Sequence, residues 1–196
     1  MAAICNNIQV KHKQMTIVTM FTDASYKAED KLASWAAWAK INGQTYRYSG
    51  LLKNSIDHAD EAELSAIANG LAKLRGQKLL QRHDIIIIQS DSKTALTALS
   101  KRQGRTEYNR QVIKFIDQLY TDLHLRFSLR HVKAHKGSMS PRHAVNSWCD
   151  RECKRVLRQA LLCRKQMSHM SSEQFALDFH NTRTEDNVLV SETPTG

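Results

Sequence analysis

The sequence of 196 residues is 41% hydrophobic and carries a formal net charge of +10, which suits one globular domain with a sizeable core but not two. No stretch approaches the about 18 apolar residues of a membrane helix, and the N-terminus lacks the apolar core of a secretory signal, so a soluble, cytoplasmic chain without membrane contact is expected. The charge is regional: residues 93–165 hold 17 Lys and Arg against 5 Asp and Glu, and residues 166–196 hold 1 against 5, a basic block that suits a polyanion such as nucleic acid.

Residues 1–14 read as a polar lead-in. Residues 15–22, MTIVTMFT, are β-branched and apolar and run into Asp23, the pattern of a buried strand that ends at a polar site. Strands at 34–41 and 45–51 flank Asn42-Gly43, a favoured two-residue hairpin turn. Trp35 and Trp38 fall on opposite faces of the first of these. From 60 to 80 the period becomes 3.6, with Glu63, Ile67, Gly70, Leu71 and Leu74 on one stripe of a helix. The run at 84–89, DIIIIQ, is almost wholly aliphatic, as in a strand buried on both faces and parallel to a neighbour. It stops at Ser90-Asp91.

A short helix at 93–100, the basic turn KRQGR, an amphipathic helix at 107–123 and a strand at 126–132 follow. The segment AHKGSMSPRH reads as an exposed loop, and a last helix spans 144–165. Residues 166–196 form an acidic tail, with at most a short helical piece at 173–179. This order describes an α/β domain at 15–165 with a mixed sheet covered by helices.

Asp23 and Asp91 each follow an apolar strand. If those strands are parallel neighbours, about 4.8 Å apart, the two carboxylates share one site at the strands' carboxyl ends, and a divalent cation is the economical way to hold both ionised. Glu63 begins the apolar stripe of its helix and so faces the sheet, whereas Asp60 and Glu61 suit the helix's first turn, where the dipole favours negative charge. Asp150, with Asn146 one turn earlier, offers a fourth oxygen ligand from the last helix. Carboxylates and water form the hard environment that suits Mg²⁺ or Mn²⁺. Of the four cysteines, Cys149, Cys153 and Cys163 fall in that same helix. A zinc site at Cys149 and Cys153 is disfavoured because Val145 and Val156 share their face, and free thiols are expected.

The segments FTDAS (21–25), AELSA (62–66), QSDS (89–92), and HVKAHKG (131–137) with NSWCD (146–150) resemble, in order, the four acidic motifs of type 1 ribonuclease H. The resemblance implies a ribonuclease H-like fold with a mixed five-stranded sheet flanked by helices. It implies Asp23, Glu63, Asp91 and Asp150 as ligands of two Mg²⁺ ions, with Mn²⁺ as a substitute. It also implies His135 as an auxiliary residue for proton transfer or product release, and an endonuclease that cuts the RNA strand of RNA/DNA hybrids to leave 3′-hydroxyl and 5′-phosphate ends. Nucleic-acid contacts are assigned to Ser25, Lys93, Lys101, Arg102, Arg105, Lys136 and Asn146, and no obligatory protein partner is inferred.

The match departs from many cellular members at His58-Ala59-Asp60, where they carry Thr or Asn that read the RNA strand, and at Lys93, where they carry Gln. The stretch from Asp91 to His135 is also too short for the extra basic helix of some relatives, whose grip Lys101, Arg102, Arg105 and Arg110 would replace in part. The loop from His135 to Asp150 is longer than usual and adds Arg142 and His143, to which no role is assigned. Another nuclease of the superfamily, a DNA resolvase or an exonuclease, and a nucleic-acid-binding protein that does not cut remain as alternatives.

Overall fold

The computed structural model describes residues 15–133 and 140–168. Five strands form one sheet: β1 (Ile17–Lys27), β2 (Leu32–Ile41), β3 (Gln44–Leu51), β4 (Ile85–Ser90) and β5 (Arg126–His131). Four helices cover it: α1 (Ala59–Gly76), α2 (Lys93–Lys101), α3 (Glu107–Leu123) and α4 (Pro141–Ser168). The strand order is β3-β2-β1-β4-β5. The first three strands pair antiparallel, and β4 joins β1 and then β5 in parallel, giving the mixed sheet that the sequence implied.

The hairpin between β2 and β3 turns at Asn42 and Gly43, both at positive φ (49° and 82°). That conformation matches the right-handed twist of the flanking strands. Pairing therefore runs without slip from Ile41 with Gln44 to Ser34 with Leu51. Trp35 and Trp38 do fall on opposite faces: Trp35 is buried among Ala33, Ile56, Ala62 and Ala66, while Trp38 packs with Phe21 and α4.

One face of the sheet buries Val18, Met20, Ile86 and Ile88 against Leu64, Ile67, Leu71 and Leu74 of α1, together with residues of α2 and α3. Gly70 lets α1 approach closely, since a Cβ there would stand 2.9 Å from Met20 Sδ and 3.1 Å from Ala37 Cβ. The opposite face packs α4 on β1, β2 and β3, with Phe21, Ala36, Cys149 and Cys153 in the seam.

Helix ends differ from the sequence reading in ways that local chemistry explains. α1 stops at Gly76, short of the expected 80, because Lys78 turns left-handed (φ 56°). The Leu79 N–H then bonds the Leu74 carbonyl (2.9 Å) and the Lys78 N–H the Arg75 carbonyl (2.8 Å), a Schellman closure. α4 begins three residues earlier than expected, with Pro141 in the first turn, where its missing N–H costs nothing. Ser140 precedes it, and its hydroxyl lies 2.6 Å from His143 Nδ1, which gives His143 a place in the helix start. At its other end α4 runs to Ser168, past the expected 165; the lead-in, the loop at 134–139 and residues 169–196, with the piece expected at 173–179, lie outside the described residues.

The amino ends of α1 and α3 are tied by Glu61, a buried residue. Its Oε2 accepts the backbone N–H groups of Asp57 (3.0 Å) and His58 (3.2 Å), and its Oε1 accepts the Thr106 hydroxyl (2.7 Å). Thr106 in turn caps α3 by accepting the Asn109 N–H at 3.1 Å, and Asn109 donates to Asp60. Hydrogen bonds to a charged group contribute about 1.5–3 kcal/mol each when buried partners are left behind. Glu61→Ala is therefore expected to lower the unfolding free energy by about 2–4 kcal/mol in urea titrations. An unchanged midpoint would show that Glu61 does not hold the two helices.

Candidate active site

The parallel pairing of β1 with β4 ends at Phe21 opposite Gln89, and β4 itself ends at Ser90. β1 does not end there. It continues to Lys27 along β2, with Asp23 opposite Ala36, so Asp23 lies within a strand and not after one as the sequence suggested. Beyond Phe21, β1 has a partner on one side only, and the notch left by β4 is where the acids meet.

Asp23 occupies the face of β1 that carries Phe21, Asp91 follows β4 directly, and Glu63 arrives from α1 on the opposite face of the sheet. One oxygen from each of Asp23, Glu63 and Asp91 falls within a set whose members are all within 4.8 Å of one another. Asp23 is 4% exposed, and Oε2 of Glu63 is shielded from solvent without a hydrogen-bond partner. A buried, unpartnered carboxylate oxygen is costly unless a proton or a cation attends it.

The electrostatics agree. Burial, followed by the charge of Asp91, pushes the Asp23 carboxyl up to about 7, although the Ala24 N–H donated at 2.8 Å works the other way. Burial, then the charges of Asp23 and Asp91, raises Glu63 well above the usual carboxylate range. The three carboxylate oxygens of Asp23, Glu63 and Asp91 form a hard donor set that fits a divalent cation.

Asp150 is near but stands apart from the three. Its charge raises both Asp23 and Glu63, while its Oδ1 pairs with Lys154 Nζ at 2.6 Å. The sequence reading missed Lys154, although its i,i+4 spacing from Asp150 is the signal for such a pair. Asn146 is buried on the same helix, and its Oδ1 lacks a partner. Cys149 and Cys153 are fully buried. Burial raises both thiols, and they donate to the backbone carbonyls of Phe21 and Asp150. The pair is therefore part of the packing of α4.

The model of the RNase H family matches residues 15–158. The chain belongs to the RNase H family. No curated protein matches the sequence directly. Solved structures do match in fold. The N-terminal RNase H domain of Rv2228c from Mycobacterium tuberculosis superposes with a TM-score of 0.58 at 14% identity, covering 76% of this chain and 99% of that one. RNase H1 from the halophilic archaeon Halobacterium salinarum gives 0.55 at 16% identity, covering 73% and 98%. LC11-RNase H1, solved in complex with an RNA/DNA hybrid, gives 0.56 at 14% identity, covering 74% and 99%.

The remaining candidates of this RNase H chain divide by position. Ser25 lies two residues beyond Asp23 on β1, opposite Ser34. Lys93 opens α2, whose cap is Ser92, accepting the Ala95 N–H at 3.2 Å. Lys101 and Arg105 are exposed near the other end of α2. Arg102 is engaged within the fold, 3.2 Å from Asp117 Oδ1 and over the Tyr120 ring, and Arg110 pairs with Glu107 at 2.7 Å. His135 and Lys136 lie outside the described residues. His131 shares the site's border, with its Nε2 3.1 Å from the Asp91 carbonyl oxygen.

A carboxyl raised from 3.8 to about 7 binds its proton more tightly folded than unfolded. Its burial therefore costs nothing below about pH 4 and costs fully above about pH 7. In metal-free protein, Asp23→Asn is expected to raise the melting temperature at pH 8, with the gain shrinking to nothing near pH 4. Equal melting curves at both pH values would mean that Asp23 does not carry this repulsion.

Proposed function

We propose that the chain is a divalent-cation-dependent endonuclease that hydrolyses the RNA strand of RNA/DNA hybrids. The observation that carries this reading is the meeting of Asp23, Glu63 and Asp91 within 4.8 Å, at the carboxyl end of a parallel strand pair in an RNase H family chain. The substrate is transferred from the hybrid-bound LC11-RNase H1, and the basic block of residues 93–165 supports a polyanionic ligand.

Mg²⁺, with Mn²⁺ as substitute, is the cation proposed for this donor set, in two ions. Such ions acidify a water and neutralise charge at the phosphoryl group. Asp23, Glu63 and Asp91 would hold them, and Asp150 would join from α4 once its oxygen leaves Lys154. In the reaction the water oxygen bonds to phosphorus, the bond to the 3′-oxygen breaks and that oxygen gains a proton. The products are a 3′-hydroxyl and a 5′-phosphate. His135 is assigned to that proton transfer or to product release.

A second reading, a superfamily nuclease with looser duplex preference such as a resolvase or exonuclease, is favoured by one observation. The residues ahead of Glu63 serve the fold: the His58 N–H is bonded to Glu61, and Asp60 accepts from Asn109. They are then less free to read 2′-hydroxyls, which distinguish RNA from DNA.

Incubation with Mg²⁺ and matched hybrid, double-stranded RNA and double-stranded DNA decides between these. Cutting of the hybrid's RNA strand alone is expected, with a rate lowered at least about 100-fold by Asp23→Asn, beyond what disturbed metal surroundings usually cost. Preferential cutting of either uniform duplex would favour the second reading, and a fully active Asp23→Asn would sink both.

A further inference from the structure

Between α2 and β5, the outer strand of the sheet, lies an open cleft of about 400 Å³. Lys93, Lys101 and His131 line it and are exposed, whereas Leu96 is buried and Leu129 half-buried. No carboxylate is among its lining residues. The cleft starts at the acidic cluster, because His131 contacts the Asp91 carbonyl oxygen and Lys93 is two residues from Asp91.

Two physical features select the occupant. Lys93 and Lys101 are eight residues apart on one helix, about 12 Å along its axis, far enough apart to meet different phosphates of one strand. The same cleft is lined by Leu96, Leu129 and the His131 imidazole, surfaces on which an unpaired base can rest, whereas the bases of a duplex are already stacked on each other. Arg102, beside Lys101, is turned onto Asp117 and Tyr120, so Lys93 and Lys101 are the charged side chains that line the cleft.

We propose that this cleft binds a single-stranded nucleic-acid extension continuous with the strand at the acidic cluster. The proposal rests on the nuclease reading above, and adds a subsite for substrate that overhangs the duplex. It makes Lys93 and Lys101 cationic contacts for the extension and Leu96, Leu129 and His131 the seat of its first unpaired base.

The test measures binding by fluorescence anisotropy of Asp23→Asn protein to two labelled hybrids, one blunt and one with a four-nucleotide single-stranded extension. The extension is expected to tighten binding about 10-fold, and Lys93→Gln with Lys101→Gln to abolish that gain. The double variant should also reduce the slope of log affinity against log salt for the extended hybrid by about 1.4, at about 0.7 per single-strand phosphate contact. Lys53→Gln with Lys114→Gln, the same charge change at exposed lysines elsewhere, should leave the gain intact. A gain that survives the cleft substitutions, or that both pairs of substitutions reduce equally, overturns the proposal. So does loss of binding to a polyglutamate peptide with retained oligonucleotide binding, which would give the cleft to an acidic protein segment. If neither hybrid binds at all, the nuclease reading fails with it; if both bind equally, only the subsite fails.

Discussion

Like charges crowded into a partly buried notch are the condition to which the rest of this fold answers. Asp23, Glu63 and Asp91 come within 4.8 Å of one another, and burial with mutual repulsion raises Asp23 and Glu63 far above an ordinary carboxyl. A native protein has only about 5–15 kcal/mol of net stability, so such a cluster survives only where the scaffold leaves it little room to relax. The scaffold here is the sheet's interior. β1 is clamped by β2 along ten residue pairs that include Asp23, and β4, paired with both β1 and β5, fixes the chain up to Ser90, the residue before Asp91.

α1 meets the same condition from the other side of the sheet. Gly70 permits its close seat on Met20 and Ala37, which brings Glu63 over the notch where β4 ends. Two residues earlier, Glu61 points to a different neighbour and receives three hydrogen bonds. The two glutamates therefore have opposite chemistry. Glu61 has its oxygens satisfied by the fold, while Glu63 keeps an oxygen buried without a partner. A helix turns about 100° per residue, so two positions suffice to separate an anchoring acid from a candidate ligand.

That separation was legible in the sequence, because the apolar stripe through Ile67, Gly70, Leu71 and Leu74 identifies the face of α1 that meets the sheet. The aliphatic run of β4 and the Asn42-Gly43 turn were legible for the same reason: each is a local pattern with one dominant structural solution. Features that depend on distant partners were not. Asp23 reads as the end of a strand because polar residues follow it, yet pairing with β2 extends the strand to Lys27. The end of α1 depends on a left-handed Lys78, a residue type that carries no turn signal. Arg102 reads as a free cation until the fold brings Asp117 and Tyr120 beneath it. The cleft beside β5 has no sequence signature, since α2 and β5 supply one wall each.

The distribution of charge then resolves an apparent conflict. A polyanion must approach a cluster that is itself negative, and at long range the approach is governed by the summed field. The basic block from 93 to 165 supplies that field, and the fold neutralises part of it internally through Arg102, Arg110 and Lys154. Among the described residues, Lys93, Lys101 and Arg105 stay exposed on or just beyond α2, and Arg130 and Lys133 stay exposed on and just beyond β5. Attraction is thus displaced from the acidic cluster. On the proposed reading, a phosphate backbone held by Lys93 and Lys101 would be drawn past Asp91, and a divalent cation between carboxylate and phosphate would turn repulsion at short range into a bridge. Lys154 shows the same rule at the scale of one residue: its ammonium pairs with Asp150 at 2.6 Å and its charge lowers Asp23, against the effect of the neighbouring acids.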